Sequence, residues 1–100
     1  MTARHDTAFT IGPDHPALPG HFPGRPVVPG VVLLDHVAAA AREAFGLGPS
    51  IGLPRAKFAA PVLPGQRVDV ALTQLDATRI TFTCSVEGRV VASGEWRFAP

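Results

Sequence analysis

The stretch GHFPGRPVVPG, residues 20–30, surrounds a single histidine with glycine and proline. Gly20, Pro23 and Pro26 restrict the backbone on both sides of His21, because proline fixes φ and glycine adopts conformations closed to other residues. A backbone that holds an imidazole in one place is what a general base or acid requires. The alternative is a loop histidine bonded to a carbonyl, and spacing alone does not separate the two.

Asp35 is the second candidate, because it lies between Leu34 and His36 on an otherwise apolar segment. An unpaired carboxylate is costly to bury, so it must be paired, protonated or directed at a cavity. A carboxylic acid partly removed from water can then act as a proton donor near neutral pH. The alternative is a solvent-facing helix position. His36 projects roughly 100° away around a helix, so we expect it to be structural or at a subunit interface.

Gly30 offers its backbone rather than a side chain. It follows Pro29 and opens an apolar run, so its N–H lies in the first helical turn, at the positive end of the helix dipole. Without a side chain, it lets a carbonyl approach closely, and such a donor stabilises a thioester oxygen as enolate charge develops. Glycine is also common at helix starts for purely structural reasons, so the case for Gly30 depends on His21 and Asp35.

Other chemistries find little support in the residue pattern. The pairs His5–Asp6 and Asp14–His15 lack the spacing of a zinc site, so we expect no metal. Cys84 alternates with apolar side chains and is expected in the core. None of the serines has the glycine context of a nucleophile elbow. Proton transfer by histidine and aspartate is therefore the favoured chemistry.

A helix from Gly30 to about Phe45 must position two of these candidates. Pro29 precedes it and Gly46 follows it, as is typical of helix starts and ends. Its apolar first turn and the alanines at 38–41 predict a nearly enclosed helix that approaches a sheet closely. The proline-rich residues 12–29 form a long connection, and a rigid connection of this length is usually functional.

A period of two in hydrophobicity predicts strands on either side of this helix. They are Thr7–Ile11, Leu53–Ala60, Arg67–Leu75, Arg79–Val86 and Val90–Phe98. Turns at residues 64–65, 76–78 and 87–88 join the last four, which predicts an antiparallel order. One helix wrapped by a curled antiparallel sheet is an α+β layout. The free sheet edge and the apolar helix need cover, which a second subunit would supply.

Composition and charge bound the class of protein. The 100 residues are 46% hydrophobic and 17% charged, which predicts one compact domain over residues 1–100. A net charge of +1 with scattered basic residues gives no case for nucleic-acid binding. One cysteine precludes an intrachain disulfide and favours a reducing compartment. No apolar run reaches signal-peptide or membrane-span length, so we expect a cytoplasmic protein that does not enter a membrane.

The segment GHFPGRPVVPGVVLLDHV resembles the active-site segment of the 3-hydroxyacyl-(acyl-carrier-protein) dehydratases of fatty-acid synthesis, a hotdog-fold family. The shared pattern is HF-x-G-x-P-x-x-PG followed by an acidic residue on the helix, and it is highly specific. The likeness continues in KFAAPVLPGQRVDV and in the ending VEGRVVASGEWRF, so it covers roughly residues 7–98. The short form, with DHPALPGHFPG, looks closest to the small dehydratases of aryl-polyene and related lipid clusters.

This resemblance implies dehydration of a 3-hydroxyacyl thioester to the trans-2-enoyl thioester. By position, His21 matches the catalytic histidine of the family, Gly30 its oxyanion-binding amide and Asp35 its acidic partner. The family implies a dimer with sites at the interface, where His21 and Asp35 come from different subunits. It also implies an acyl tunnel along the helix. The side chains expected to bind substrate are Phe22, Pro29, Val31, Leu34 and Phe58.

The implied partner is an acyl carrier protein or coenzyme A, whose phosphopantetheine arm arrives with the substrate. The reaction needs no metal or redox cofactor. Carrier proteins tend to be acidic, so basic residues near the tunnel mouth could receive one; the candidates are Arg25, Arg55, Lys57 and Arg67.

Two departures from the family keep other functions open. The alanines at 38–41 replace a portion that often carries glutamine, and Asp35 resembles a longer, isomerising branch whose isomerase activity is not carried over. Some short relatives work as pairs of unlike subunits, so a heterodimer is an alternative to a homodimer. A hotdog thioesterase is a second alternative, disfavoured because hydrolysis needs a positioned water more than a rigid base. A non-catalytic partner subunit is the third.

Overall fold

Five antiparallel strands form one sheet, and a helix packs on one of its faces. The computed structural model describes residues 3–14 and 27–100. The elements are β1 (Ala3–Thr10), α1 (Gly30–Phe45), β2 (Ser50–Phe58), β3 (Arg67–Gln74), β4 (Arg79–Val86) and β5 (Arg89–Phe98). This confirms the predicted α+β layout of one helix on a curled antiparallel sheet.

The strand order in the sheet is β1-β3-β4-β5-β2. The strands β3, β4 and β5 are consecutive in sequence and adjacent in space, whereas β2 follows the helix yet pairs with the last strand, β5. The edges are therefore β1 and β2. As a result, the end of β2 comes to lie beside the start of α1.

Two tight turns set the register of the central strands. The carboxylate of Asp76 accepts hydrogen bonds from the N–H groups of Thr78 at 3.0 Å and Arg79 at 2.9 Å. The Thr78 N–H, together with the Arg79 side chain, holds the pKa of Asp76 well below its usual range. In the next turn Glu87 and Gly88 both have positive φ, 52° and 78°, as a two-residue hairpin of the primed type requires.

The helix begins directly after Pro29 and ends where glycine allows a left-handed residue. Gly46 has φ 63° and ψ 37°, and its N–H donates to the carbonyl of Arg42. The residues that α1 buries against the sheet are Val32, Leu33, Val37 and Ala41. They meet the inward side chains of the strands in a core of apolar residues, and no polar or charged side chain is buried within residues 3–14 and 27–100.

The predicted bounds of α1 and β4 are confirmed, and those of the edge strands differ. β1 begins at Ala3 rather than Thr7, because it pairs with β3 along its whole length although its first residues are polar. β2 begins at Ser50 rather than Leu53, and the Ser50 hydroxyl accepts a hydrogen bond from the indole N–H of Trp96 on β5. Backbone pairing extends a strand beyond its apolar alternation.

The prediction of a nearly enclosed helix is wrong for the single chain. Val31, Asp35 and Ala39 are exposed, in a row spaced four residues apart along α1. Val31 is 65% exposed. Such a row shares one face of a helix. The helix α1 therefore packs against the sheet on one side and leaves another face uncovered in the single chain.

The missing side chain of Gly94 lets β5 pack closely against both the backbone of β2 and the ring of Phe82. A β-carbon at this position would overlap the carbonyl oxygen of Arg55 and lie 2.9 Å from the Phe82 ring. We therefore expect Gly94→Ala to lower the free energy of unfolding by about 1–3 kcal/mol, or the melting temperature by roughly 4–8 °C for each kcal/mol. Thermal unfolding followed by circular dichroism measures this change.

Gly52→Ala on the neighbouring strand is the matched control for this experiment. A β-carbon on Gly52 has no atom within 4 Å, so its melting temperature should change little. Equal destabilisation by the two substitutions would contradict the packing argument at Gly94.

Candidate functional site

An apolar pocket of about 650 Å³ lies between the start of α1 and the end of β2. One wall is the segment 27–31 with Leu33, and the other is the segment 58–62. Its lining is aliphatic apart from Phe58 and the backbone. A pocket of this kind suits an apolar chain and offers polar contacts chiefly through main-chain groups.

Backbone hydrogen bonds hold the two walls together. The N–H of Val28 donates to the carbonyl of Val62 at 2.8 Å, which joins the segment before α1 to the segment after β2. The N–H of Ala59 donates to the carbonyl of Val91 at 2.8 Å, which ties the second wall to β5. Both walls are thus fixed to the sheet, and a ligand meets a preformed surface.

The start of α1 borders this pocket. Pro29 is the N-cap and makes no side-chain capping bond, and its carbonyl accepts the N–H groups of Val32 at 3.0 Å and Leu33 at 3.3 Å. The N–H groups of Gly30 and Val31 precede these first intrahelical bonds, and the first turn contains no acidic residue. The positive end of the helix dipole there favours an oxygen that gains negative charge.

Phe58 packs directly against Gly30. A β-carbon built on Gly30 would lie 3.0 Å from Cζ and 3.2 Å from Cε1 of the Phe58 ring. The ring is itself 51% exposed and borders the pocket. Close packing against this ring therefore favours glycine at position 30.

Asp35 is exposed and does not line this pocket. It forms no ion pair with another described residue. The expectation that it is paired or directed at a cavity is not met within one chain, and the alternative of a solvent-facing helix position describes it. Asp35 follows Val31 by one turn, and Val31 borders the pocket, so the exposed row of α1 leads from the pocket to this carboxylate.

His21 and Phe22 lie outside the residues that the structure describes, so their predicted roles stay predictions. His36 is half-buried and stacks on Phe9, with ring centroids 4.4 Å apart and an angle of 13° between the planes. This agrees with its structural interpretation. His5 meets the edge of Phe45 at 6.5 Å and lines no part of the pocket.

Of the expected substrate-binding residues, Pro29, Val31 and Phe58 line the pocket. Leu34 is partly buried against the core, and Leu33 is the leucine that borders the pocket. The sequence analysis missed Val27, Val28 and the segment 59–62. The predicted strand ended at Ala60, whereas β2 ends at Phe58, so the residues around that predicted end were the available signal.

Cys84 is fully buried, as predicted. Burial raises the pKa of its thiol to about 11, because desolvation disfavours the thiolate. Among residues 3–14 and 27–100, no group of three or more His, Cys, Asp and Glu side chains could hold a metal ion. Within the same ranges, no helix has the length and hydrophobicity to span a membrane.

The model of the ApeI-like family, described as ApeI dehydratase, matches residues 2–95. The 3-hydroxyacyl-(acyl-carrier-protein) dehydratase FabZ of Ruminiclostridium cellulolyticum is 32% identical over 89% of this chain. The chain spans 71% of the length of this relative, and 47% and 65% of the FabZ proteins of Verminephrobacter eiseniae and Chlamydia trachomatis.

Solved structures show the same fold. An uncharacterized protein from Erwinia carotovora subsp. atroseptica superposes with a TM-score of 0.84 at 31% identity, covering 99% of this chain and 85% of that one. The dehydratase heterocomplex ApeI:P from Xenorhabdus doucetiae superposes with a TM-score of 0.83 at 22% identity, covering 97% of this chain and 88% of that one. The fluoroacetyl-CoA thioesterase FlK superposes with a TM-score of 0.72 at 18% identity, covering 97% of this chain and 84% of that one.

The curled sheet around one helix, with a pocket at the helix start, is a hotdog domain of the kind found in dehydratases and thioesterases. Within that class, the chain belongs to the ApeI-like dehydratase family.

Proposed function

We propose that this protein dehydrates 3-hydroxyacyl thioesters to trans-2-enoyl thioesters. The observation that carries the proposal is the apolar pocket that ends at the uncapped start of α1. A thioester oxygen bound to the N–H of Gly30 would gain negative charge as the α-proton leaves, and the helix dipole stabilises that charge. The family and its named relatives support the same reaction.

In this mechanism His21 removes the proton from the α-carbon and the C–H electron pair forms an enolate-like thioester. The β-carbon–oxygen bond then breaks as Asp35 donates a proton to the departing hydroxyl, which leaves as water. The proton on His21 returns to Asp35 through solvent, so the site is restored. No metal or redox step is required, since one C–H and one C–O bond break, one C=C bond forms and water leaves without net oxidation or reduction.

A second subunit is part of the proposal. Asp35 and Val31 lie on a face of α1 that one chain leaves exposed, and a partner that covers this face would enclose the carboxylate and bring its own His21. The partner is a copy of this chain or a related subunit. The substrate is carried on acyl carrier protein, as the names of the curated relatives suggest, or on coenzyme A, and the phosphopantetheine arm arrives with it.

The experiment that tests this proposal incubates the purified chain with 3-hydroxybutyryl thioesters of a carrier protein and of coenzyme A. Dehydration produces the ultraviolet absorbance of a conjugated enoyl thioester without release of thiol. Hydrolysis releases thiol without that absorbance, and this result would replace the proposal with a thioesterase. Cys84 is buried in the core, so its thiol is shielded from the reagent of the thiol assay.

The half-site alternative has its own signature in the same assay. A chain that is inactive alone but active after addition of a small related dehydratase subunit would be one member of a heterodimer. Inactivity under both conditions would contradict the proposed function.

A further inference from the structure

The ring of Phe58 packs directly beside Gly30, the proposed oxyanion donor. Its ring atoms Cζ, Cε1 and Cε2 lie 3.0, 3.2 and 3.5 Å from the position that a β-carbon on Gly30 would take. Contacts near 3.0 Å leave no room for an added methyl group unless the ring moves. Phe58 is also the one aromatic side chain among the described residues that line the pocket.

The ring is held in this place by the sheet. Phe58 is the last residue of β2 and pairs with Ala92 of β5. The N–H groups of Ala59 and Ala60 both donate to the carbonyl of Val91, at 2.8 and 3.4 Å. The backbone that carries the ring is thus fixed on β5, which places the ring beside the start of α1.

The reacting end of an acyl group must pass beside this wall. A thioester oxygen bound to the N–H of Gly30 lies about 2.9 Å from that nitrogen. The α-carbon follows after two bonds of about 1.2 and 1.5 Å. The α-carbon therefore lies within about 6 Å of the Gly30 nitrogen, and the Phe58 ring, which packs against Gly30, borders the same part of the pocket. Further along the pocket the same wall is built from the small residues Ala59 and Ala60, which leave space for branching at later carbons.

We propose that Phe58 selects against acyl groups branched at the α-carbon, so that the substrates are thioesters unsubstituted at carbon 2. This inference rests on the proposed function for the position of the thioester oxygen. In this inference Phe58 distinguishes substrates by the position of the branch in the acyl group, and not by the length or total hydrophobicity of that group.

Binding of two isomeric ligands tests this inference without requiring turnover. The 2-methylbutyryl (each enantiomer) and 3-methylbutyryl thioesters of pantetheine contain the same atoms and differ only in the branched carbon, and calorimetry measures both dissociation constants. One misplaced methyl group in a fitted pocket costs about 10- to 200-fold, so we expect the 3-methyl isomer to bind tighter by a factor in this range. In Phe58→Ala this ratio should fall by about tenfold or more, and in Phe58→Leu by less.

Ile51→Ala is the matched control, because Ile51 is another exposed apolar residue of β2 that lies outside the pocket. Its isomer ratio should equal that of the wild type.

The outcomes separate this inference from the proposed function. An isomer ratio near one in the wild type, or one that Phe58→Ala leaves unchanged, overturns the inference even if dehydration occurs. A Phe58-dependent binding ratio in a chain that dehydrates nothing supports the inference and overturns the proposed function. Failure to bind either isomer contradicts both.

Discussion

Asp35→Asn is expected to lower kcat/KM for dehydration by about 10²- to 10⁴-fold while leaving the melting temperature of the protein unchanged. Asparagine cannot donate the proton that the departing hydroxyl needs, although it keeps nearly the same shape. Asp35 is exposed and forms no ion pair with another described residue, so the fold of the single chain loses no contact. Steady-state kinetics and thermal unfolding measure the two quantities.

Glu43→Gln provides the control on the same helix. Glu43 is also an exposed carboxylate of α1, two turns beyond Asp35, so this substitution removes the same charge at a distance from the pocket. Its activity should match the wild type. A loss of activity equal to that of Asp35→Asn would show a general charge effect, and full activity of Asp35→Asn would remove Asp35 from the mechanism.

Mixing two inactive variants is expected to restore activity if each site uses both subunits. A chain with His21→Ala keeps Asp35, and a chain with Asp35→Asn keeps His21. In a mixed dimer one site combines both defects and the other combines both intact residues. About half of the dimers are mixed after random exchange, so about a quarter of wild-type activity should return.

The exposure of Asp35 is the reason for expecting this result. Within one chain the carboxylate lies on an uncovered helix face and outside the pocket that contains Gly30. The two variants are denatured and refolded together, which exchanges the subunits, and the activity is then measured. A chain with both substitutions, refolded alone, is the blank. No recovery despite mixed dimers in native mass spectrometry would place His21 and Asp35 in one subunit.

Local patterns in the sequence were sufficient to predict most of the fold. Pro29 and Gly46 mark the ends of α1 through backbone conformation, which depends only on neighbouring residues. The alternation in Arg79–Val86 predicts the observed bounds of β4, because this central strand has one face in the core and one outside it. Edge strands were less accurate, since β1 and β2 pair through backbone groups that leave no trace in hydrophobicity.

The candidate site was harder to predict because it is built from segments distant in sequence. The sequence analysis predicted Leu34 at the pocket, but Leu33 is the leucine that lines it. Adjacent residues on a helix point about 100° apart, and only packing against the sheet decides which of the two meets the pocket. The contact between Phe58 and Gly30 depends on a strand pairing with β5. Asp35 could not be judged from one chain, since the surroundings of an exposed helix face depend on what covers it.

The position of β5 between β4 and β2 has a consequence for protein synthesis. The N-terminal half of the chain emerges from the ribosome first, and with it α1 and β2, yet β2 has no neighbour in the sheet until β5 has been made. The wall that carries Phe58 is therefore assembled last, after the hairpin β3–β4 has formed by local pairing. A chain that ends before residue 89 lacks the strand to which β2 pairs, and with it the support of the pocket wall that begins at Phe58.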